Sequence, residues 1–393
     1  MPYSIAIAGC GVAGLTAAIL LARQGHRVTL FEQSAHVGPL GAGILLQPSG
    51  QLVLQEMGLL ERIAASAERI DRLHAITHRG HTLIDLPYSA VALGMHAYGL
   101  HRGDLFMLLH AELVTAGVVL QLCSRIVRFA ESASDVELFD AQDASRGRFD
   151  CLLAADGARS QLRHASALPA SVFEYPHGVL WALGSCPAIA HKLYQVTRGT
   201  SLLCGLLPMG LNRCSFFWSL EKRHQDALFA RDFSAWKNEV IAFIPESESI
   251  VSPLRSFEDL RYTTYLHVRM PRWHTSRFLL LGDAAHAMSP HLGQGINLAL
   301  LDGFTLAHAF ATAGSIPDAF TLYSHLRRAH IRYYAAVTYF LSPFFQSRGV
   351  VKGWGRDFFL PLIPHLPLAG PQTLLTMTGL KRSYFGGMLR LPI

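Results

Sequence analysis

The sequence predicts an α/β fold in which an antiparallel sheet is inserted between pieces of a parallel one. Three observations lead to this prediction. The N-terminus alternates a short apolar strand, a helix rich in Ala and Leu, and a second strand, which is a βαβ opening. Two later apolar runs, at 149–154 and 277–281, end directly in Asp-Gly and Gly-Asp. Between them, residues 170–270 contain aromatic-rich alternating stretches, which are typical of antiparallel strands.

The same patterns place the individual elements in chain order. Helices are expected where apolar residues recur with helical spacing and where Gly follows the last turn. They span about 12–24, 105–116, 226–243, 295–312 and 317–340. Strands are expected at 5–8, 27–31, 118–122, 136–139, 149–154, 214–220, 262–268 and 277–281.

The length of 393 residues is too great for one small core and predicts interlocked domains. A nucleotide-binding domain of the Rossmann type is assigned to 1–70, 100–165 and 275–312. A substrate domain takes 71–99 and 166–274, and a helical region takes 313–393. A simple dehydrogenase would keep its nucleotide-binding domain contiguous, so this interleaving is itself informative.

Composition narrows the class of protein. Half of the residues are hydrophobic and 16% are charged, so a sizeable core can be buried. None of the six cysteines lies two to four residues from another, which removes CxxC redox chemistry and the usual zinc pairs, and no metal site is expected. The net charge is +6 without runs of Lys and Arg among aromatics, so nucleic acid is not an expected partner. With no secretory signal and no apolar run of about 18 residues, we expect a cytoplasmic protein.

The first motif is a glycine-rich turn between the first strand and helix, Gly9-Cys10-Gly11-Val12-Ala13-Gly14. In this context the first glycine permits a tight turn, the second lets the backbone approach a pyrophosphate, and the third lets helix and strand pack closely. Glu32 follows at the end of the second strand, where a carboxylate accepts hydrogen bonds from both ribose hydroxyls. The pattern predicts a dinucleotide and leaves FAD and NAD as equal alternatives.

Two further motifs follow buried strands. Residues 156–163 begin with Asp156-Gly157. By itself, this pair is also typical of a strand-to-helix turn in which the Asp caps the helix. Residues 282–297 read GDAAHAMSPHLGQGIN. Asp283 ends a strand, where its carboxylate can bind a polyol hydroxyl. The turn 293–297 opens a helix and presents N–H groups to an anionic acceptor such as a reduced flavin ring.

In combination, the three motifs resemble those of the single-component flavoprotein monooxygenases typified by para-hydroxybenzoate hydroxylase, salicylate hydroxylase and the ubiquinone-pathway hydroxylases. That family carries GxGxxG, then DGxxSxxR, then GDAAHxxxPxxGQGxN. All three occur here in this order, and the resemblance covers about residues 1–345. It implies that the nucleotide-binding domain is an FAD-binding domain.

The resemblance also implies roles for matching positions. Glu32 would bind the adenosine ribose, Arg102 would contact FAD, and Ile126 would touch the adenine through its backbone. Asp283 would hold the ribityl chain. Residues 293–297 would cradle the isoalloxazine ring, with Pro290 and His286 flanking it. The implied FAD contacts are Gly9, Gly11, Val12, Ala13, Gly14, Glu32, Gly43, Arg102, Ile126, Asp156, Gly157, Gly282, Asp283, Pro290, Gly293, Gly295, Ile296 and Asn297.

Some family members carry an Arg just before the loop 41–44 that lies beside the flavin. Here these positions are Pro39 and Leu40, which leaves the family's flavin movement and substrate details open for this chain.

The implied reaction is hydroxylation. NADH or NADPH would reduce FAD, O2 would add to give a C4a-hydroperoxyflavin, and a small, largely apolar, aromatic or quinone/quinolone-like substrate would receive one oxygen atom. Epoxidation, Baeyer–Villiger oxidation, a flavin oxidase and a non-catalytic flavoprotein remain alternatives. The absence of a second GxGxxG argues against a disulfide reductase, and the isolated tryptophans argue against a halogenase. The expected apolar wall of the substrate pocket consists of Leu202, Leu203, Leu206, Leu207, Met209, Phe216, Phe217 and Trp218.

The stretch 334–393 combines aromatic and basic residues. Lys352, Arg356, Lys381, Arg382 and Arg390 face a single acidic residue after position 349, Asp357. Two interpretations remain open, a helical cap on the flavin domain and peripheral contact with an anionic membrane.

Overall fold

The computed structural model describes residues 2–38, 41–347, 349–367 and 369–392. Pro39 and Leu40, where the sequence departs from some family members, lie outside these residues.

The strands of the structure are β1 (Ser4–Ala8), β2 (Arg27–Phe31), β3 (Gly43–Leu46), β4 (Glu68–Ile70), β5 (Arg72–Thr77), β6 (Thr82–Pro87), β7 (Ala97–His101), β8 (Val119–Gln121), β9 (Ile126–Glu131), β10 (Val136–Asp140), β11 (Ser145–Phe149), β12 (Cys151–Ala154), β13 (Ser171–Gly184), β14 (Lys192–Arg198), β15 (Leu202–Pro208), β16 (Cys214–Glu221), β17 (Arg261–Arg269) and β18 (Phe278–Leu280).

The helices alternate with the strands in the first half of the chain and follow one another in the last quarter. They are α1 (Val12–Arg23), α2 (Pro48–Glu56), α3 (Leu60–Ala64), α4 (Arg102–Thr115), α5 (Gln161–Ala165), α6 (Gln225–Phe229), α7 (Phe233–Phe243), α8 (Glu248–Val251), α9 (Asp283–His286), α10 (Gly295–Thr312), α11 (Ile316–Phe345), α12 (Val350–Phe359) and α13 (Ala369–Met377).

The first layer is a parallel sheet of five strands in the order β18-β12-β1-β2-β8. Strands β12 and β18 are fully buried, and β1 is buried from Ile5 onward, which explains their apolar sequences. Because the strands are parallel, their carboxyl ends share one edge. The residues that follow β1, β2, β12 and β18 therefore meet at that edge, where open α/β sheets place their ligands.

Helices α1 and α10 cross closely against this sheet. A Cβ atom at Gly303 would lie 2.7 Å from Cβ of Thr16, so the side chain of Thr16 occupies the space that Gly303 leaves free. This contact fixes the N-terminus of α10 beside the glycine-rich turn that precedes α1.

The second layer is a sheet of seven strands in the order β17-β13-β16-β15-β14-β5-β6. Its neighbours are antiparallel except β14 and β5, which run parallel. Helices α6–α8 cover one face, where Trp218 packs against the fully buried Trp236. The other face packs against Leu45 of β3 and against Leu374 and Met377 at α13. The sheet thus lies between a helical layer and the β3–β7 region.

The fold class predicted from the sequence is confirmed. One prediction was wrong: in place of the single helix expected over 226–243, the structure has two helices, α6 and α7. Asp232 lies between them, and its side chain accepts a hydrogen bond from N of Ala235, so it caps a new helix. The domain limits remain a prediction. Two further three-stranded sheets, β3-β7-β4 and β11-β10-β9, complete the fold.

The C-terminal segment packs on the rest of the molecule as a helical cap. Ser49 and Gln294 hydrogen-bond to the backbone oxygens of Thr378 and Met377, so the end of α13 touches α2 and the turn before α10. None of the helices in the described ranges is both long enough and apolar enough to cross a membrane.

Candidate active site

The glycine-rich turn packs directly on the end of β12. Gly9 has φ +106°, and a Cβ atom there would overlap the carbonyl group of Ala155, so the position requires glycine. Among the described residues, none comes within 4 Å of where a Cβ atom at Gly11 would lie. The N-terminus of α1, with the backbone of Val12 and Ala13, therefore opens into free space at the sheet edge.

Glu32 stands beside this turn with both carboxylate oxygens fixed. Oε2 accepts from N of Cys10 and Oε1 from N of Ser34, each at 2.9 Å. The carbonyl oxygen of Glu32 accepts from N of Ser124, two residues before Ile126, and this brings the start of β9 alongside. Burial and then the nearby Glu32 raise the pKa of the Cys10 thiol to about 12, so the thiol is neutral and inert.

The second motif joins two parts of the site. Ser160 caps α5 by accepting from N of Arg163. Arg163 donates from Nη1 to O of Ala284 at 2.8 Å, which ties this motif to the one at 282–297. Asp156 is half-buried at the sheet edge beside Gly157, and its Oδ1 is buried without a partner among the described residues. Burial raises the pKa of this carboxyl.

The third motif begins against the glycine-rich turn. A Cβ atom at Gly282 would lie 2.9 Å from Cβ of Ala13. Asp283 is accessible to solvent, yet the protein around it desolvates its carboxyl and raises the pKa of that group. His286 and Arg102 oppose this rise in the pKa, and Asp302 adds to it. Because the Asp283 carboxylate is accessible to solvent and yet surrounded by protein, it lies at the bottom of a cleft.

Arg102, at the start of α4, closes one side of this cleft. Its guanidinium lies against Gly41, and its backbone N donates to O of Ala42 at 3.2 Å. Its positive charge opposes the rise that burial causes in the pKa of the Asp283 carboxyl. Gly43 continues the same loop and packs on Met209 and Ser215 of the seven-stranded sheet. The loop 41–44 therefore lies where the two layers meet.

The turn before α10 is organised by Asn297. This side chain is fully buried, donates from Nδ2 to O of Leu45 and O of Gly293, and accepts at Oδ1 from N of Gln47. The amide group is thus committed to the protein backbone and pins β3 to the turn. Gly295, at the first residue of α10, is exposed, and no described residue occupies the space beside it. Ile296 is half-buried next to it.

A buried ionic network lies behind the third motif. The carboxylate of Asp302 accepts from N of Gly282 at 3.0 Å, from Nε2 of His286 at 2.6 Å and from Nε of Arg327 at 2.8 Å. Burial alone would raise the pKa of the Asp302 carboxyl, but His286 and Arg327 together hold it well below its usual range. The side chain of His286, predicted to flank the flavin, is therefore used to orient the motif.

The network continues to the C-terminal segment. Nη1 of Arg327 lies 2.9 Å from Nδ1 of His330, and Nε2 of His330 lies 3.1 Å from O of Gly379. Burial and the adjacent Arg327 lower the pKa of His330 to about 3, so its ring is neutral. Since a guanidinium only donates, Nδ1 accepts and Nε2 donates to Gly379. The segment after α13 is thereby connected to the third motif.

Polar side chains cluster beside Pro290, which itself is exposed. Oγ of Ser289 lies 2.7 Å from Nδ1 of His291 and 2.9 Å from Oγ of Ser342. The hydroxyl of Tyr175 lies 3.1 Å from Nδ1 of His267 and interacts with both serines. The cluster thus runs from β17 to the turn at Pro290.

The histidines of this cluster are neutral. Burial, reinforced by His177, lowers the pKa of His291 to about 4. Burial and then Arg269 lower the pKa of His267. Neutral imidazoles beside hydroxyl groups can accept or pass on a proton.

The expected apolar wall divides between the two faces of the seven-stranded sheet. Leu202, Leu206, Phe216 and Trp218 point into the core under α6–α8. Because side chains alternate along a strand, their neighbours point the other way. The side chains that point toward the β3–β7 region are those of Leu203, Leu207 and Phe217. Met209 lies just after the end of β15.

Arg163 is the Arg that ends the second motif of the sequence analysis, whereas Asp302 and Arg327, which also hold the motifs together, were missed by sequence reasoning. A signal for Asp302 was present, because it is the one acidic residue in the apolar helix sequence 295–312. A lone charge in such a helix is buried only with partners.

A model of the FAD binding domain family matches residues 2–334. The chain belongs to this family. The predicted cofactor, FAD, and the resemblance to flavoprotein monooxygenases are confirmed by this match and by the relatives below.

Two relatives and one solved structure illustrate the likeness. Aurachin C monooxygenase/isomerase of Stigmatella aurantiaca is 27% identical over 368 residues, covering 90% of this chain and 92% of the relative. 6-Hydroxynicotinate 3-monooxygenase of Bordetella bronchiseptica is 29% identical, covering 82% and 87%. The structure of PqsL, a probable FAD-dependent monooxygenase from Pseudomonas aeruginosa, superimposes with a TM-score of 0.78 at 22% identity and covers 91% of this chain and 99% of that one.

Proposed function

We propose that this protein is an FAD-dependent monooxygenase that uses NADH or NADPH and O2 to hydroxylate a small, largely apolar, aromatic or quinone/quinolone-like compound. One observation carries the proposal most strongly. The three motif loops meet at the carboxyl edge of the parallel sheet, in a cleft that the loop 41–44 and the seven-stranded sheet border. The relatives are FAD-dependent aromatic hydroxylases and monooxygenases, which supports this reaction class.

The residues at the sheet edge fit FAD. The open N-terminus of α1 at Gly11 suits a pyrophosphate, and Glu32 suits the adenosine ribose. The accessible carboxylate of Asp283 suits the ribityl hydroxyls, and the open N-terminus of α10 at Gly295 suits the flavin ring. The unpartnered Oδ1 of Asp156 is a further polar atom that a bound cofactor or ordered water would satisfy.

The chain's own tasks are to bind, orient and exclude water. When bound and reduced, FAD supplies the activation of O2. The apolar face formed by Leu203, Leu207 and Phe217 holds the substrate against the flavin and keeps water out. The neutral His291, linked to Ser289, holds or moves the proton of a polar substrate group.

Flavin content and product chemistry test this proposal. The purified protein is expected to be yellow and to release one non-covalent FAD per chain on heating or acidification. With a suitable aromatic compound, NADH or NADPH consumption should accompany one labelled oxygen atom in the product when isotope-labelled O2 is supplied.

The alternatives give different results in the same assays. An oxidase would give labelled hydrogen peroxide and an unlabelled organic product. A non-catalytic flavoprotein would bind FAD without turnover, and a protein that takes up no FAD would refute the proposal. Product structures distinguish hydroxylation from epoxidation and Baeyer–Villiger oxidation, and a parallel titration of NADH and NADPH identifies the donor.

A further inference from the structure

Two cysteines meet at one end of the seven-stranded sheet. Cys214 is the first residue of β16 and pairs in register with Gly184, the last residue of β13. Cys186 follows Gly184 by two residues, and side chains two positions apart on an extended chain point to the same side. The two thiols interact with each other and belong to the same buried cluster under α6–α8.

The surroundings of Cys186 favour its thiolate. Cys186 begins a tight turn in which N of Ile189 donates to the carbonyl oxygen of Cys186 at 3.3 Å. Interaction with the thiol of Cys214 lowers the pKa of Cys186. Two backbone N–H groups of the turn and the hydroxyl of Ser249 lower this pKa further, against the opposing effect of burial. Cys186 is therefore the nucleophile of the pair, since a thiolate and not a thiol attacks an oxidant.

A small oxidant can approach this sulfur from the surface. Cys186 is 5% exposed, and the neighbouring Ser185 and Ser249 line a surface cavity of about 500 Å³. Oγ of Ser249 donates to O of Ser185 at 2.6 Å, which holds the hydroxyl beside the turn. In the thiol form, Sγ of Cys186 donates to O of Glu246 at 2.9 Å, so the neutral group also has a partner.

The remaining thiols in the core are much less reactive. Burial raises the pKa of Cys10, Cys151 and Cys204, so these thiols stay neutral. Interaction with Cys186, and then burial, raises the pKa of Cys214. Cys214 is thus the protonated partner of the pair, and it regains nucleophilicity once Cys186 no longer carries a negative charge.

We propose that Cys186 and Cys214 are a peroxide-sensitive pair that closes to a disulfide. The thiolate of Cys186 attacks hydrogen peroxide, an S–O bond forms and the O–O bond breaks. The leaving hydroxide takes up the proton that Cys186 released, and the sulfur is oxidised by two electrons to a sulfenic acid. Cys214 then attacks this sulfur, an S–S bond forms, the S–O bond breaks, and water leaves with the proton of Cys214. Two thiols and one hydrogen peroxide thus give one disulfide and two water molecules.

The disulfide would lie close to the candidate active site. Cys214 precedes Ser215, whose Cβ lies 2.7 Å from where a Cβ atom at Gly43 would be. Gly43 belongs to the loop 41–44, which borders the cleft. Closure of the disulfide therefore acts one residue away from the contact between the sheet and this loop.

Peptide mapping of the full-length, FAD-saturated protein tests the proposal and requires no substrate. The protein is treated with hydrogen peroxide, its free thiols are blocked with iodoacetamide in denaturant, and it is digested with trypsin without reductant. Cys186 and Cys214 fall on separate peptides, 164–192 and 214–222, and Cys204 falls on a third, 199–213. We expect peroxide to raise the amount of the linked pair 164–192 with 214–222 at least tenfold, and dithiothreitol to reverse this.

Single substitutions identify the role of each sulfur. Cys214→Ser should stop at a sulfenic acid on Cys186 that dimedone labels, and Cys186→Ser should give neither the dimedone label at this site nor the disulfide. Cys123→Ser is the matched control, because Cys123 is exposed and lies outside the pair, and it should form the disulfide like the wild type. Flavin content verifies the folding of every variant.

The wild-type result decides the proposal even if a variant fails to fold. Peroxide-treated wild type in which 164–192 and 214–222 remain unlinked overturns the proposal. A disulfide from Cys186 to Cys204 instead of Cys214 also overturns it.

Discussion

The carboxylate of Asp302 is expected to control both stability and flavin binding, and Asp302→Ala is the informative change. The variant removes the acceptor of three hydrogen bonds, from Gly282, His286 and Arg327. Asp302 is 0% exposed and Arg327 is 2% exposed, so the guanidinium would remain buried without its partner.

The expected magnitude follows from that burial. Breaking a buried ion pair by removing one partner costs about 3–5 kcal/mol in the free energy of unfolding. Asp302→Asn keeps the volume and one oxygen acceptor but loses the charge, and we expect a cost of about 1–3 kcal/mol. Both variants disturb the orientation of Gly282 and His286. FAD affinity should therefore also fall, and it should fall further in Asp302→Ala than in Asp302→Asn.

Urea denaturation followed by tryptophan fluorescence, with FAD in excess, measures the free energy, and flavin fluorescence measures the affinity. Asp226→Ala is the control, because Asp226 is exposed and its loss should cost at most about 0.5 kcal/mol. If Asp302→Ala unfolds within about 1 kcal/mol of the wild type, the network does not carry the stability assigned to it.

The same carboxylate gives a pH signature. Its pKa in the folded protein is held well below the usual range, so its contribution to stability is complete above the unfolded-state value of about 4. The contribution is lost as the pH falls toward the folded-state pKa. The stability difference between wild type and Asp302→Ala should therefore be constant from pH 8 to about pH 5 and shrink on further acidification. A difference that grows below pH 4 would contradict this assignment.

Three further substitutions test the site. Glu32→Ala should weaken FAD binding in a titration without changing the preference between NADH and NADPH; retained flavin with lost NADH affinity would mean that Glu32 binds NAD. Asp283→Ala should weaken FAD binding by about 1–3 kcal/mol, and an unchanged affinity would reduce Asp283 to a structural turn residue. Gly303→Ala should lower the free energy of unfolding, measured by urea denaturation, by about 1–3 kcal/mol, because the added Cβ would meet Thr16. Gly314→Ala should leave that free energy unchanged, because no described atom lies within 4 Å of the added Cβ. Equal effects of the two substitutions would contradict the close helix crossing.

Local signals made the nucleotide-binding part of the fold predictable. Strand β2 begins and ends where the alternation and Gly25 indicate, and α10 has its predicted limits, because glycines and apolar periodicity are properties of short stretches. The break between α6 and α7 was also locally encoded, by the cap residue Asp232, but the longer apolar pattern was preferred. The existence of the three motif loops therefore followed from sequence.

Other features depend on contacts between distant residues. The parallel pairing of β5 with β14 joins residue 72 to residue 192, and no local pattern encodes such a partner. The same holds for the burial of Arg356, which the sequence shows only as one of several basic residues. Its burial is set by Thr197 at the end of β14 and by Gly199 just after that strand. Long-range register and the fate of individual charges were thus beyond prediction.

The order of strands in the parallel sheet has a consequence for biosynthesis. Strand β12 ends at Ala154, but its outer neighbour β18 begins only at Phe278, more than a hundred residues later. A chain emerging from the ribosome therefore has an apolar strand with an unpaired edge while five of the seven strands of the second sheet, β13–β17, are still being made, which is a state prone to aggregation. The cleft cannot be completed until α10 has been delivered. Cofactor capture is accordingly a late event, and flavin supply during expression should govern the yield of native protein.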